Sequence, residues 1–144
     1  MAKVNCELLY PELGEYIEKN YEIGTEAKTI FGQSTFSEAL LSKIKDSSFT
    51  EAQCYRKAGV DKSMFNKIKT DKLYRPRKTA AIAFAIALEL SLDEAEKLLS
   101  SAGYELCSSN KVDIIVRYYI QNGIYNLSEI NEALYSFELP LIQA

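Results

Sequence analysis

Thr50–Lys69 reads TEAQCYRKAGVDKSMFNKIK, and the fold turns on how this stretch is read. Thr50 is a good helix N-cap, Glu51 to Lys57 suits a short helix, and Ala58-Gly59 ends it. Asp61 caps a second short helix, Lys62 to Lys69. Two short helices joined by a three- to four-residue turn that holds a glycine make the layout of a helix-turn-helix. Val60, Phe65 and Ile68 fall where apolar side chains must pin the second helix. Lys62, Ser63, Asn66, Lys67 and Lys69 are then left facing outward.

The charge of the chain gathers at the same place. Nine of its seventeen Lys and Arg residues lie between Arg56 and Lys78: Arg56, Lys57, Lys62, Lys67, Lys69, Lys72, Arg75, Arg77 and Lys78. Only Asp61 and Asp71 oppose them, so the window nets +7 while the rest of the chain nets −10, and the total is −3. Positive charge concentrated in an acidic chain points to an anion-binding surface, for which nucleic acid is the first candidate. The other reading is a solvated loop and helix face that only keeps the chain soluble. A helix with these outward residues fits the DNA major groove, where Lys or Asn can read base edges and other cations reach phosphates. Lys72, Arg75, Arg77 and Lys78 suit phosphate contact from a loop and a helix start, with backbone N–H groups adding to the pull at Lys78.

Composition narrows the other possibilities. The 144 residues suit one domain with a real core, and 47% apolar with 26% charged residues is ordinary for a soluble globular chain. No apolar run reaches the length of a membrane span, and Met1–Tyr10 lacks the pattern of a signal peptide, so a cytoplasmic protein is expected. There is no histidine, which removes Ser-His-Asp and Cys-His catalysis and the commonest transition-metal ligand. Cys6, Cys54 and Cys107 have neither disulfide-framework nor zinc spacing and read as buried thiols. No glycine loop suited to cradling phosphate is present, so neither an enzyme nor a cofactor is expected.

Apolar residues recur at three- and four-residue intervals almost throughout, which predicts an all-α helical bundle. Helices are expected over Glu7 to Asn20, from Ser34 or Thr35 (with Glu38 closing a capping box) to a stop at Asp46-Ser47-Ser48, and over Lys78 to Leu90. Others run from Ser91-Leu92-Asp93 to Ala102, from Lys111 to Gln121 and from Ser128 to Phe137. The stretch Tyr21 to Gln33, with one turn of helix around Thr25–Phe31, is either an arm that docks on a partner or a cap on the core. Three divisions follow: an N-terminal helical arm at 1–33, a helix-turn-helix unit at 34–104, and a C-terminal helical extension at 105–144 packed on the same core. For Tyr104, Tyr118, Tyr119, Tyr125 and Tyr135, helical spacing favours packing over base stacking. The apolar end Phe137–Ile142 either closes the core or forms a dimer seam.

Pro76–Tyr104, PRKTAAIAFAIALELSLDEAEKLLSSAGY, carries a resemblance. With the Thr50–Lys69 motif it resembles Cro/C1-type (XRE-like, phage-repressor-like) helix-turn-helix domains over about Thr35 to Tyr104. The Leu88–Leu92–Asp93–Glu94–Ala95 corner with Leu98, Leu99 and Gly103 is the most specific part. The resemblance implies a five-helix core, with Lys62–Lys69 as recognition helix and Lys62, Ser63, Asn66 and Lys67 at its reading positions. Two departures stand out. Tyr55 occupies a place where the family usually has a small Ala, so its ring must either part the two helices or turn outward. Lys69 replaces a common Glu. The block Phe36–Leu141 also resembles a helical tail appended to some bacterial macro-domain proteins.

The expected function is therefore a sequence-specific regulator of transcription that binds double-stranded DNA. It is expected to be a homodimer, because one copy reads one half-site, with the helices of Lys111–Phe137 as the seam. The candidate nucleic-acid contacts are Arg56, Lys62, Ser63, Asn66, Lys67, Lys69, Lys72, Arg75, Arg77 and Lys78. The alternative is a protein-interaction adaptor, antitoxin-like or a phage-defence component, that uses the N-terminal arm or the C-terminal helices to hold a protein partner.

Overall fold

The apolar periodicity is realised as eight helices among residues 10–20 and 35–143, which the computed structural model describes. They are α1 (Pro11–Asn20), α2 (Phe36–Asp46), α3 (Glu51–Lys57), α4 (Lys62–Thr70), α5 (Lys78–Ala87), α6 (Leu92–Ser101), α7 (Lys111–Gln121) and α8 (Leu127–Ser136). No strand occurs among the described residues. The expected turn of helix around Thr25–Phe31, and most of the N-terminal arm, lie outside them. No helix among the described residues is long and apolar enough to cross a membrane.

Local chemistry sets the helix starts. Thr35 with Glu38, Thr50 with Gln53, and Ser91 with Glu94 each form a full capping box, satisfying backbone N–H groups that a helix start leaves unpaired. Asp61 caps α4, and Asn110 and Asn126 cap α7 and α8. Five helices end in one way, with paired bonds that turn the chain through a left-handed residue. Gly59, Gly103 and Gly123 fill that place after α3, α6 and α7, and Glu89 (φ 54°) and Glu138 (φ 58°) fill it after α5 and α8. The Glu89 turn explains why α5 stops at Ala87 and not at Leu90. Similarly, α8 starts at Leu127 because the cap is Asn126, one residue before the expected start at Ser128.

Helix α5 is the axis of the bundle. All its residues from Ala80 to Ala87 are buried, because it packs against α3, α6 and α8 at once, and its alanines permit that close approach. A chain of rings ties the surrounding helices to it. Phe36 of α2 and Phe65 of α4 lie 6.3 and 6.2 Å from Phe84 of α5, and Tyr55 of α3 lies 5.2 Å from Phe65. Loss of a buried ring of this kind costs about 3–5 kcal/mol. Tyr55 thus neither parts α3 from α4 nor turns outward. It lies half-buried along the Phe65 ring, while Cys54 and Ala58 take the close positions.

The C-terminal helices belong to the same core. Ile114, Ile115, Val116, Tyr119 and Ile120 of α7 are buried, as are Ile130, Ala133 and Leu134 of α8. Helix α1 packs on α7 through Leu13 and Ile17, and the Tyr16 hydroxyl donates to Gln121 Oε1 at 2.7 Å. The chain end closes this core: Ile142 is buried and both its backbone groups bond the Asn131 side chain. Of the tyrosines expected to pack, Tyr119 is buried and Tyr104, Tyr118 and Tyr125 are half-buried, whereas Tyr135 is 76% exposed. Cys54 is fully buried, and burial pushes its thiol up to about 12. Cys107, expected to be buried, is only partly so, because it sits in the connection between α6 and α7 and not on a helix.

Candidate nucleic-acid interface

Helix α4 presents a divided surface. Phe65 and Ile68 are buried, Met64 is half-buried, and Lys62, Ser63, Asn66, Lys67 and Lys69 are all exposed, as the sequence periodicity demands. The turn before it, with Gly59 at φ 74°, brings α4 into contact with α3. A Cβ added at Gly59 would meet no atom within 4 Å, so the requirement there is conformational and not steric.

The ten candidate residues separate into two groups. Lys62, Ser63, Asn66 and Lys67 on α4, and Arg56, Lys72 and Arg77 flanking it, are exposed. None of these five cations forms an ion pair among the described residues. Ser63, Lys67 and Arg77 meet with Asp61, Met64 and Tyr74 around a shallow cleft of about 310 Å³. That cleft joins the outward face of α4 to the residue just before α5, so two parts of the basic window share one surface. The acids of the window already hold backbone donors: Asp61 Oδ1 accepts from Met64 N–H, and Asp71 Oδ1 from Leu73 N–H.

The remaining three are engaged within the chain. Lys69 Nζ lies 3.0 Å from Glu51 Oε1 on the exposed surface. Arg75 donates from Nε to the Ala102 carbonyl at 2.7 Å, and its guanidinium carbon lies 4.4 Å over the Tyr104 ring. Lys78 is half-buried and pairs with the buried carboxylate of Asp113. The phosphate role expected of Lys78 from its place at a helix start thus meets a competing partner that no local pattern announced. Lys57, the ninth cation of the window, pairs with Glu89 and lies 4.0 Å over the Phe49 ring. With Lys57, Lys69 and Lys78 paired, six of the nine cations form no ion pair among the described residues.

Two residues at or beside this surface carried no role in the sequence reading. Tyr74 lines the cleft half-buried, and Leu73 beside it is 85% exposed at the tip of a turn. An apolar residue placed among lysines and arginines in a loop was the visible sign. The C-terminal helices, expected as a dimer seam, bury most of their apolar side chains against their own chain. Their largest exposed apolar residue is Tyr135, beside a groove of about 530 Å³ lined also by Tyr10, Ser128, Asn131, Glu132 and Leu141. No group of three or more His, Cys, Asp or Glu among the described residues is placed to hold a metal ion.

No family model matches this chain, and neither a curated protein nor a solved structure matches it.

Proposed function

We propose that this chain is a sequence-specific, double-stranded DNA-binding regulator of transcription whose helix α4 lies in the major groove. The observation that carries this reading is the surface of α4. Its outward residues are cations and small polar groups only, on a helix fixed from behind by Phe65 and Ile68. Nine residues make a helix of about 13 Å, which suits a groove about 12 Å wide. Lys62, Ser63, Asn66 and Lys67 would meet base edges, and Arg56, Lys72 and Arg77 the phosphate rails on either side. The reading retains the likeness to Cro/C1-type repressors for 34–104. It also retains a homodimer, since one copy carries one such helix, with a seam built from exposed residues such as Tyr135.

A mobility-shift assay on random and genomic duplex fragments across a salt series tests this. Tight, fragment-selective binding that survives physiological salt is expected, and it should disappear when Lys62, Asn66 and Lys67 are all changed to Ala. Those exposed changes should leave stability within about 0.5 kcal/mol. Binding that is weak, indifferent to sequence and steeply lost with salt would reduce the surface to phosphate contact alone. Absence of binding at low salt would remove the reading.

The groove beside Tyr135 favours a second reading, a protein-interaction adaptor of the antitoxin-like or phage-defence kind. That reading expects partner binding to survive the triple α4 variant and to weaken in Tyr135→Ala.

A further inference from the structure

The turn that follows α4 holds a side chain which neither the helix face nor the charge accounts for. Tyr74 N–H donates to the Asp71 carbonyl at 3.0 Å, and Leu73 N–H donates to Asp71 Oδ1 at 3.1 Å. Beyond the turn, Arg75 is anchored on Ala102 and Tyr104, and the Tyr104 hydroxyl donates to the Pro76 carbonyl at 2.7 Å. The backbone is tied on both sides of Leu73, yet the leucine is 85% exposed and its neighbour Tyr74 is the one that turns in. A single exposed leucine is ordinary on a protein surface. This one sits on a fastened turn between the exposed cations Lys72 and Arg75, where Asn, Asp, Gly or Ser is the usual occupant.

The geometry points to Leu73 as an apolar wedge that enters the minor groove next to the segment read by α4 and partly unstacks one base step. This rests on the DNA-binding reading given above. Leu73 lies three residues past the end of α4, at most about 10 Å along the chain, so it stands beside the stretch of duplex that α4 would meet. The occupant must be anionic at its rim, to match Lys72, and apolar within. A duplex minor groove has that character, with phosphates on both edges and sugar and base faces between them. Leucine is among the side chains that proteins insert at such steps, kinking the duplex. Flexible pyrimidine–purine steps open most easily, so the wedge would add a preference for TA or CA at a position α4 does not touch. An anionic lipid surface shares the charge, but one leucine is too small an anchor for stable membrane binding, which takes two signals.

The test uses the full chain, Leu73→Ser and Leu73→Met, on a selected duplex carrying 2-aminopurine at each step flanking the footprint. The expected result is a fluorescence rise at one flanking step with the wild type and Leu73→Met, absent with Leu73→Ser. Leu73→Ser should also bind about 10-fold more weakly with an unchanged salt slope, since no phosphate contact is lost. Specific binding by Leu73→Ser with the same fluorescence and affinity as the wild type would overturn the wedge and leave the DNA reading standing. No duplex binding by the wild type would overturn both. A Leu73→Ser defect confined to phosphatidylserine vesicles would overturn the wedge in favour of a lipid contact.

Discussion

Lys78 Nζ lies 2.5 Å from Asp113 Oδ2, across thirty-five residues of chain, and the same oxygen accepts the Cys107 backbone N–H at 2.9 Å. The side chain of Asp113 is 2% exposed and that of Lys78 27%, so the pair straddles the boundary between core and surface. It fastens the start of α5, where the basic window ends, to the first turn of α7. Through it the C-terminal extension holds the platform that carries the cations.

Removing the ammonium from this pair should cost more than neutralising any other cation of the basic window. Lys78→Met keeps the stem and leaves a buried carboxylate without its cation, a loss of about 3 kcal/mol. For a chain of this size that is on the order of 10 °C in Tm. Burial already holds the Asp113 carboxyl above the ordinary carboxylate value, with Lys78 and the Cys107 N–H acting the other way. Without Lys78 it rises further. A carboxyl raised in the folded state favours folding fully below its unfolded value, and that contribution is lost as pH rises through the folded one. Thermal melts from neutral to acid pH should therefore show the deficit of Lys78→Met shrinking as pH falls. A deficit constant with pH would mean that Asp113 is not the partner that matters.

The left-handed residues at the helix ends allow an opposed pair of substitutions. Gly59→Ala meets no clash but forces an L-residue to φ 74°, which costs about 1 kcal/mol. Glu89→Gly relieves the same strain at φ 54°, and the ion pair it removes, between Lys57 and a half-exposed carboxylate, is worth well under 1 kcal/mol. Denaturant titration should place Gly59→Ala below the wild type and Glu89→Gly about 0.5–1 kcal/mol above it.

The Asn131 side chain bonds both backbone groups of Ile142. Asn131 Oδ1 accepts from the Ile142 N–H at 2.8 Å, and Asn131 Nδ2 donates to the Ile142 carbonyl at 3.1 Å. Asn131→Ala leaves both backbone groups without these partners, a loss of about 1–2 kcal/mol. Hydrogen exchange at the Ile142 amide should be faster in this variant than in the wild type, with a smaller change in overall Tm than Lys78→Met.

These residues also show how far the sequence could be read. Thr35, Thr50, Asp61 and Ser91 were legible as helix starts because a cap acts on donors two or three residues away. The outward face of α4 was legible because Phe65 and Ile68 fix which side is inward. The end of α5 was not, since a glutamate in a left-handed conformation leaves no mark that a glycine would. Nor could the charge window say which of its cations were already engaged. Glu51, Glu89, Ala102 and Asp113, which hold Lys69, Lys57, Arg75 and Lys78, all lie outside that window, and only folding brings them together.

Arg75 and Arg77 are two residues apart in a window read as uniformly basic, and they should behave differently. Arg75 bonds the Ala102 carbonyl and lies on Tyr104, close enough that a Cβ at Gly103 would sit 3.4 Å from its guanidinium. Arg77 is exposed, makes no side-chain capping bond to α5, and borders the cleft with Ser63 and Lys67. Arg75→Ala should lower stability by about 1 kcal/mol, because a charged hydrogen bond to a backbone carbonyl is lost and the turn below Leu73 loosens. Arg77→Ala should leave stability within about 0.5 kcal/mol. On duplex DNA, Arg77→Ala should lower the slope of log binding constant against log salt by about 1. Melting curves and salt-dependent binding on the same two proteins separate the roles. If Arg77→Ala leaves the salt slope unchanged, the cleft does not meet phosphate.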